Sequence, residues 1–263
     1  GISVAETDQP ERALLDCEAV EALDPDNPLG CQLRGLLSLE RGELETAMQA
    51  VARARDLAPD WPDPRQQIAF LHRINSEPEA AIEEQTILLE QQPDCAAHYV
   101  NRAFAYAQFG DFDRALDDYR RACELEPENE HIYFLRGCFF NDRQQPEQAL
   151  SDFNRALTVA GDHDNARLRR ATTLTQLRRY REAVEDYDKL VAKHPDDPHA
   201  YAGRAFARQM IGDEEFSEAD FDQLRQIAPE QSEETLIQSL LAKVSWVESQ
   251  ERYEEAGETA DLS

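Results

Sequence analysis

Lysine is almost missing from this chain of 263 residues: Lys189, Lys193 and Lys243 are the only three, the other 24 basic residues being arginine. Positive charge is scarce altogether, 27 basic against 54 acidic side chains, which leaves a formal charge of -27 at pH 7. A field of that sign repels phosphate backbones and anionic headgroups, so neither a nucleic acid nor a membrane surface is expected as partner, and it keeps an extended surface soluble. The five cysteines are odd in number and show no CxxC spacing. A disulfide framework and a zinc knuckle are thereby disfavoured, and plain thiols in a reducing, cytoplasmic compartment are expected. No apolar run is long enough to span a bilayer, and residues 1–4 lack the basic-then-apolar order of a leader. There is no glycine-rich phosphate loop, HExxH, GxSxG or spaced serine and histidine pair, so no catalytic residue, cofactor site or metal site is expected, and the chain reads as a non-enzyme.

What is present is a period. Proline recurs at Pro25, Pro59, Pro93, Pro127, Pro195 and Pro229, every 34 residues, with Gly161 in the one missing slot. In phase with it run Ala13, Ala47, Ala81, Ala115, Ala149, Ala183 and Ser217, and ahead of those Gly35, Ala69, Ala103, Gly137, Ala171 and Ala205. Self-similarity of this length without an insertion marks stacked supersecondary units that each bury a face on their neighbours. In residues 96–129, Tyr99, Ala103 and Tyr106 share one helix face and Gly110 with Asp111 makes the turn. Phe112, Ala115, Leu116, Tyr119, Ala122 and Leu125 form the apolar face of a second helix, which Pro127 ends because the residue before a proline avoids the helical conformation. Ala103 and Ala115 are small where the two helices meet.

Aromatic, small, aromatic, alanine, aromatic, alanine and proline in this order and spacing resemble the tetratricopeptide repeat. The resemblance covers essentially the whole chain and implies an all-α, right-handed superhelical solenoid of helix-turn-helix hairpins. Phased on the prolines, a partial repeat occupies 1–27 and full repeats occupy 28–61, 62–95, 96–129, 130–163, 164–197 and 198–231. A capping helix is expected over 232–250 and an acidic tail over 251–263. Three positions depart from the pattern: Arg65 and Arg167 stand where the first aromatic is expected, and Gln85 where the third is. Gly1 falls on the small position of a first helix, so the expected reading is that sequence, or a docking partner, precedes it.

A second regularity is charged. Arg34, Arg102, Arg136, Arg170 and Arg204 stand immediately before the small residue of the first helix, and the last four are followed sixteen residues later by Asp118, Asp152, Asp186 and Asp220. The repeat with Ile68 at that place has Glu84 instead, and the repeat of Arg34 has Ala50. Each arginine is expected to cross to the aspartate of its own or an adjacent repeat, its planar fork matching a carboxylate. The alternative is a row of arginines open to an acidic ligand.

By resemblance, first helices line a concave surface that holds a peptide or a helix. The positions implied are Leu36, Phe70, Ile74, Val100, Phe104, Phe134, Cys138, Leu168, Phe206 and Met210, interspersed with polar residues such as Gln66, Gln108, His131, Asn165 and Gln176. For each phenylalanine the competing reading is packing against the next repeat. The lysine of the carboxylate-clamp members has no counterpart, since the corresponding positions are Gln32, Gln66, Val100, Phe134, Leu168 and Ala202. His163 between Asp162 and Asp164, and His194 and His199 around Asp196 and Asp197, fall in turns and are read as helix starts and bends rather than metal ligands. The expected function is a scaffold or adaptor that binds a peptide or helix of a partner protein. The alternatives are a self-assembly module, associating through the partial repeat, and a regulatory arm of a larger protein.

Overall fold

The computed structural model describes residues 19, 20 and 23–229. The partial repeat, the capping helix and the acidic tail lie wholly or largely outside the described residues. The chain divides into two compact units, residues 1–127 and 128–263. All regular structure among the described residues is α-helical.

The first unit holds α1 (Pro28–Glu40), α2 (Leu44–Leu57), α3 (Pro62–Ile74), α4 (Pro78–Gln91), α5 (Ala96–Phe109) and α6 (Phe112–Leu125), each packed on the next. The second holds α7 (Glu130–Asp142), α8 (Pro146–Val159), α9 (Asp164–Gln176), α10 (Tyr180–Lys193), α11 (Pro198–Met210) and α12 (Glu214–Ile227), again packed in succession, with α9 also touching α7 and α11. Each unit is a stack of helical hairpins. The small residues make that packing close: Ala47, Ala81, Ala115, Ala149 and Ala183 are buried, and Ser217 in the same column donates its hydroxyl to the Ala205 carbonyl at 3.0 Å. A Cβ on Gly137 would lie 2.6 Å from the Phe153 ring, and one on Gly35 would lie 2.2 Å from Val51.

Caps and turns follow the period. Asn27, Asn129 and Asp197 accept backbone N–H groups of α1, α7 and α11 through their side chains, which satisfies donors the first helical turn cannot. His163 does the same for α9, its Nδ1 accepting from the Ala166 amide at 3.1 Å, so its reading as a helix start holds. The turn inside each hairpin has one residue with positive φ, at Gly42, Ser76, Gly110, Gln144, Arg178 and Gly212. Three of the six are not glycine, so those turns hold a left-handed conformation that an ordinary side chain adopts at a cost of about 1–2 kcal/mol.

Candidate functional site

Four of the arginines singled out by spacing reach the aspartate of their own repeat. Arg102 donates from Nε and Nη2 to Asp118 at 2.8 Å each, and Arg136 to Asp152 at 2.7 Å each. Arg170 holds Asp186 at 2.7 and 2.6 Å, and Arg204 holds Asp220 at 2.9 and 2.6 Å. The aspartates are buried. The remaining nitrogen points back one repeat: Nη1 of Arg102, Arg170 and Arg204 reaches Thr86, Asn154 and Asp188, each sixteen residues earlier. The side chains are consumed in packing, and the row of arginines open to an acidic ligand is not what forms. Burial pulls the Arg204 guanidinium pKa down, but its bonds to Asp220 and Asp188 outweigh that and raise it.

Two of the departures from the repeat pattern, Arg65 and Arg167, bring a guanidinium to a carboxylate. Where Ile68 replaces the arginine, Arg65 one helical turn earlier donates to Glu84 at 2.8 Å, and Arg55 of the preceding hairpin adds a second contact at 3.3 Å. Arg167 lies 3.7 Å from Asp186 and donates to the Gly161 carbonyl. Arg208 joins Arg204 on both Asp220 and Asp188. The histidine cluster of the second unit is likewise structural. His194 and Lys193 both contact Asp164, at 2.8 and 2.7 Å. Burial would raise the Asp164 carboxyl, yet those two hydrogen bonds prevail and hold it below the usual range. Among the described residues no group of histidine, cysteine and carboxylate side chains is arranged to hold a metal, and no helix is long and apolar enough to cross a membrane.

The implied groove residues divide. In the first unit Leu36, Phe70 and Ile74 are 42, 42 and 40% exposed, unusual for large apolar side chains standing in neighbouring first helices. Phe104 is half-buried, its edge on the Tyr119 ring 6.1 Å away, and Val100 is buried. In the second unit Phe134 packs on Phe153 and His163, with ring centroids 6.2 and 5.0 Å apart, and Phe206 packs on Tyr180 at 6.3 Å. Leu168, Cys138 and Met210 are half-buried there, and burial pushes the Cys138 thiol pKa up.

Around Leu36 and Phe70 the first unit opens into a cavity of about 570 Å³. Its walls are Leu36, Leu39, Val51, Ala69, Phe70 and Leu71, and its polar lining is Gln32, Gln66, Gln67, Gln85, Asn101, Asp63 and Arg73. Arg73 lies over the faces of Phe70 and Phe104, 5.0 and 5.8 Å from the ring centroids. The side-chain oxygens of Gln67 and Gln85 are buried and have no hydrogen-bond partner. The resemblance points to Leu36 and Phe70; Arg73 and Gln67 carry no signal in the sequence, and Gln85 stands out there only as a departure from the repeat.

Residues 96–129 and residues 140–205 match two family descriptions, both of the tetratricopeptide repeat. The chain carries tetratricopeptide repeats. Solved structures agree on the fold. A chain of the APC/C Cut9–Hcn1 hetero-tetramer aligns over 89% of this chain with a TM-score of 0.65 at 13% identity, and the alignment spans only about half, 47%, of that protein. PilF of Pseudomonas aeruginosa aligns over 77% of this chain and 92% of its own with a TM-score of 0.63 at 20% identity. YrrB, described as a tetratricopeptide-repeat protein with an unusual peptide-binding site, aligns over 75% of this chain and 99% of its own, with a TM-score of 0.59 at 20% identity. No curated protein matches the sequence significantly. In the tetratricopeptide frame the cavity lies on the first helices of consecutive repeats, at the start of the described array.

Proposed function

We propose that this protein-interaction scaffold captures a segment of a partner protein, as an extended peptide or a helix, on the first helices of residues 28–127. The observation that carries the reading is a cavity of about 570 Å³ lined by exposed Leu36 and Phe70, with exposed Ile74 one helical turn beyond Phe70. Apolar anchors beside a concavity are what peptide recognition requires, and the polar part of the lining, mostly side-chain amides, supplies bonds to a peptide backbone. YrrB, which shares the fold, is described as having an unusual peptide-binding site, which supports peptide capture by an array of this kind. Val100 and Phe104 border this contact. Phe134, Cys138, Leu168, Phe206 and Met210 serve as a second, more covered row on residues 128–229. The charge of -27 favours a partner segment that is basic or neutral at its flanks.

A displayed library of random peptides, panned on the wild-type chain and on Leu36→Glu/Phe70→Glu, tests the proposal. Both side chains are exposed, so the double variant keeps its melting temperature. Peptides enriched by the wild type should bind it at least about tenfold more weakly. Equal enrichment on both proteins would place the contact elsewhere.

A further inference from the structure

The cavity of the first unit carries a charge at each end. Asp63, Gln66, Gln67, Phe70 and Arg73 of α3 all line it. Intervals of three and four put them on one face of the helix, so the opening runs along α3. Ten residues separate Asp63 from Arg73, about 15 Å at 1.5 Å per residue. The surface between them is open to solvent: Asp63, Gln66 and Phe70 are exposed, Leu36 is exposed on the facing wall, and Arg73 is half-buried.

Neither charge is spent within the chain. Arg65 and Arg102, also on first helices of this unit, are tied to Glu84 and Asp118, but the Arg73 guanidinium makes no ion pair or hydrogen bond among the described residues. It lies over two rings instead, 5.0 Å from the Phe70 centroid and 5.8 Å from that of Phe104. Rings hold a guanidinium in place and leave the N–H groups on its edge to donate. The Asp63 carboxylate also has no cation or donor among the described residues. An acid in the first turn and a base in the last suit the dipole of α3, which favours both positions without using their hydrogen-bonding groups. The side-chain amides of Gln66 and Asn101 on the same lining are likewise unbonded among the described residues. An extended occupant suits this surface better than a helix. A helix about 10 Å across would occupy about 1,200 Å³ over that length, twice the cavity of about 570 Å³, and its backbone groups are already bonded to one another. An extended chain spans the 15 Å in about four or five residues and offers backbone groups to the amides.

We propose that the first unit reads charge order. It holds an extended segment of a partner protein with an acidic side chain on Arg73, a basic side chain on Asp63 about four or five residues away, and apolar residues between them on Phe70 and Leu36. Such a segment is neutral overall, so the charge of -27 does not oppose its approach. This assignment gives the partner segment its chemistry and rests on the peptide-scaffold reading.

The probes are peptides enriched by the whole wild-type chain and lost on Leu36→Glu/Phe70→Glu. They should carry an acid and a base about four or five positions apart with apolar residues between. In the tightest of them, replacing the acid by glutamine should weaken binding about tenfold, as expected for a charged hydrogen bond at a half-buried guanidinium. Replacing the base by glutamine should weaken it about threefold, since Asp63 is exposed. Double-mutant cycles assign the contacts: on Arg73→Gln the acid's replacement, and on Asp63→Asn the base's, should change affinity less than about 1.5-fold, while the crossed combinations keep their full effects. Panning on Asp63→Arg/Arg73→Glu should enrich peptides in which the two signs have changed places. Should the Arg73 variants fail to fold, the peptide substitutions and the cycle with Asp63→Asn decide. Peptides that bind here without opposite charges at this spacing, or whose acid does not couple to Arg73 or base to Asp63, overturn the charge-order proposal and leave the scaffold reading standing. If no peptide is lost on Leu36→Glu/Phe70→Glu, the scaffold reading at this surface fails, and charge order fails with it.

Discussion

Two ion pairs of the second unit have nearly the same geometry and opposite surroundings, which makes them a controlled comparison. Arg136 grips Asp152 with two bonds of 2.7 Å, the side chains being 18 and 7% exposed. Arg179 grips Glu182 with bonds of 2.7 and 2.6 Å, at 46 and 52% exposure. If bond length set the energy, the two would be worth the same. Burial argues otherwise. Removing Asp152 strands a guanidinium that cannot fully rehydrate, which costs about 3–5 kcal/mol for a fully buried pair and, discounted for the water Arg136 still meets, about 2–4 kcal/mol here. Removing Glu182 exposes Arg179 to solvent, and an i,i+3 surface pair is worth about 0.2–0.5 kcal/mol. Double-mutant cycles with alanine at both members of each pair, followed by urea unfolding, isolate the coupling. The buried pair should couple by about 2 kcal/mol or more, and Asp152→Ala should lower the melting temperature by roughly 4–16 °C at 2–4 °C per kcal/mol. Coupling energies equal within about 0.5 kcal/mol would refute the premise that the ladder works by burial.

Other expectations follow from the same packing. Gly137→Ala should cost about 1–3 kcal/mol, because its Cβ would meet the Phe153 ring at 2.6 Å, whereas Gly161→Ala, with nothing nearer than a carbonyl at 4.0 Å, should be near neutral in the same thermal melt. Gln144→Gly should stabilise by about 0.5 kcal/mol, the relief of a left-handed residue less glycine's extra chain entropy, and a destabilisation in urea would show that the turn needs its side chain. His98 is buried with Nδ1 unpartnered, and burial pushes its imidazole pKa down. The unfolded chain therefore takes up a proton that the folded chain refuses, so the stabilisation is complete above about pH 6.5 and declines as pH falls through the folded value. His98→Gln should flatten stability against pH between about 6.5 and 5, and an unchanged slope would assign it to other groups.

The hairpins were legible because their signals repeat: a small residue and a proline in every unit outvote local departures. The arginine and aspartate ladder was legible for the same reason, since four consecutive repeats carry both members at an offset of sixteen. Arg65 was not, because its compensation for Ile68 runs through a position one turn away, and a column-by-column reading records two unrelated departures instead of one moved charge. The left-handed turn column was hidden by Ser76, Gln144 and Arg178, residues that hold the conformation because the hairpin on either side dictates it. The candidate site was half legible. Helical spacing identifies the face of a first helix but not its owner, so Phe70 and Phe134 read alike although one is 42% exposed and the other lies against Phe153. The cavity is lined from two neighbouring repeats, a juxtaposition that Gln85 alone does not disclose.

The backward reach of the arginines bears on how such a chain lengthens. Residues 164–197 contain Arg170, the Asp186 it grips, and Asp188, which accepts from Arg204 of the following unit. An in-frame duplication of these 34 residues would set a second copy of Arg170 sixteen residues after Asp188, where Arg204 now stands. The copy would inherit a partner behind it and another within it, with no new contact to be invented. Charge pairing at a fixed offset on both sides thus works as a grammar for duplication: a unit that obeys it can be inserted next to itself, and one such as 62–95, whose cation has moved to Arg65, carries a local idiom that a neighbour must match.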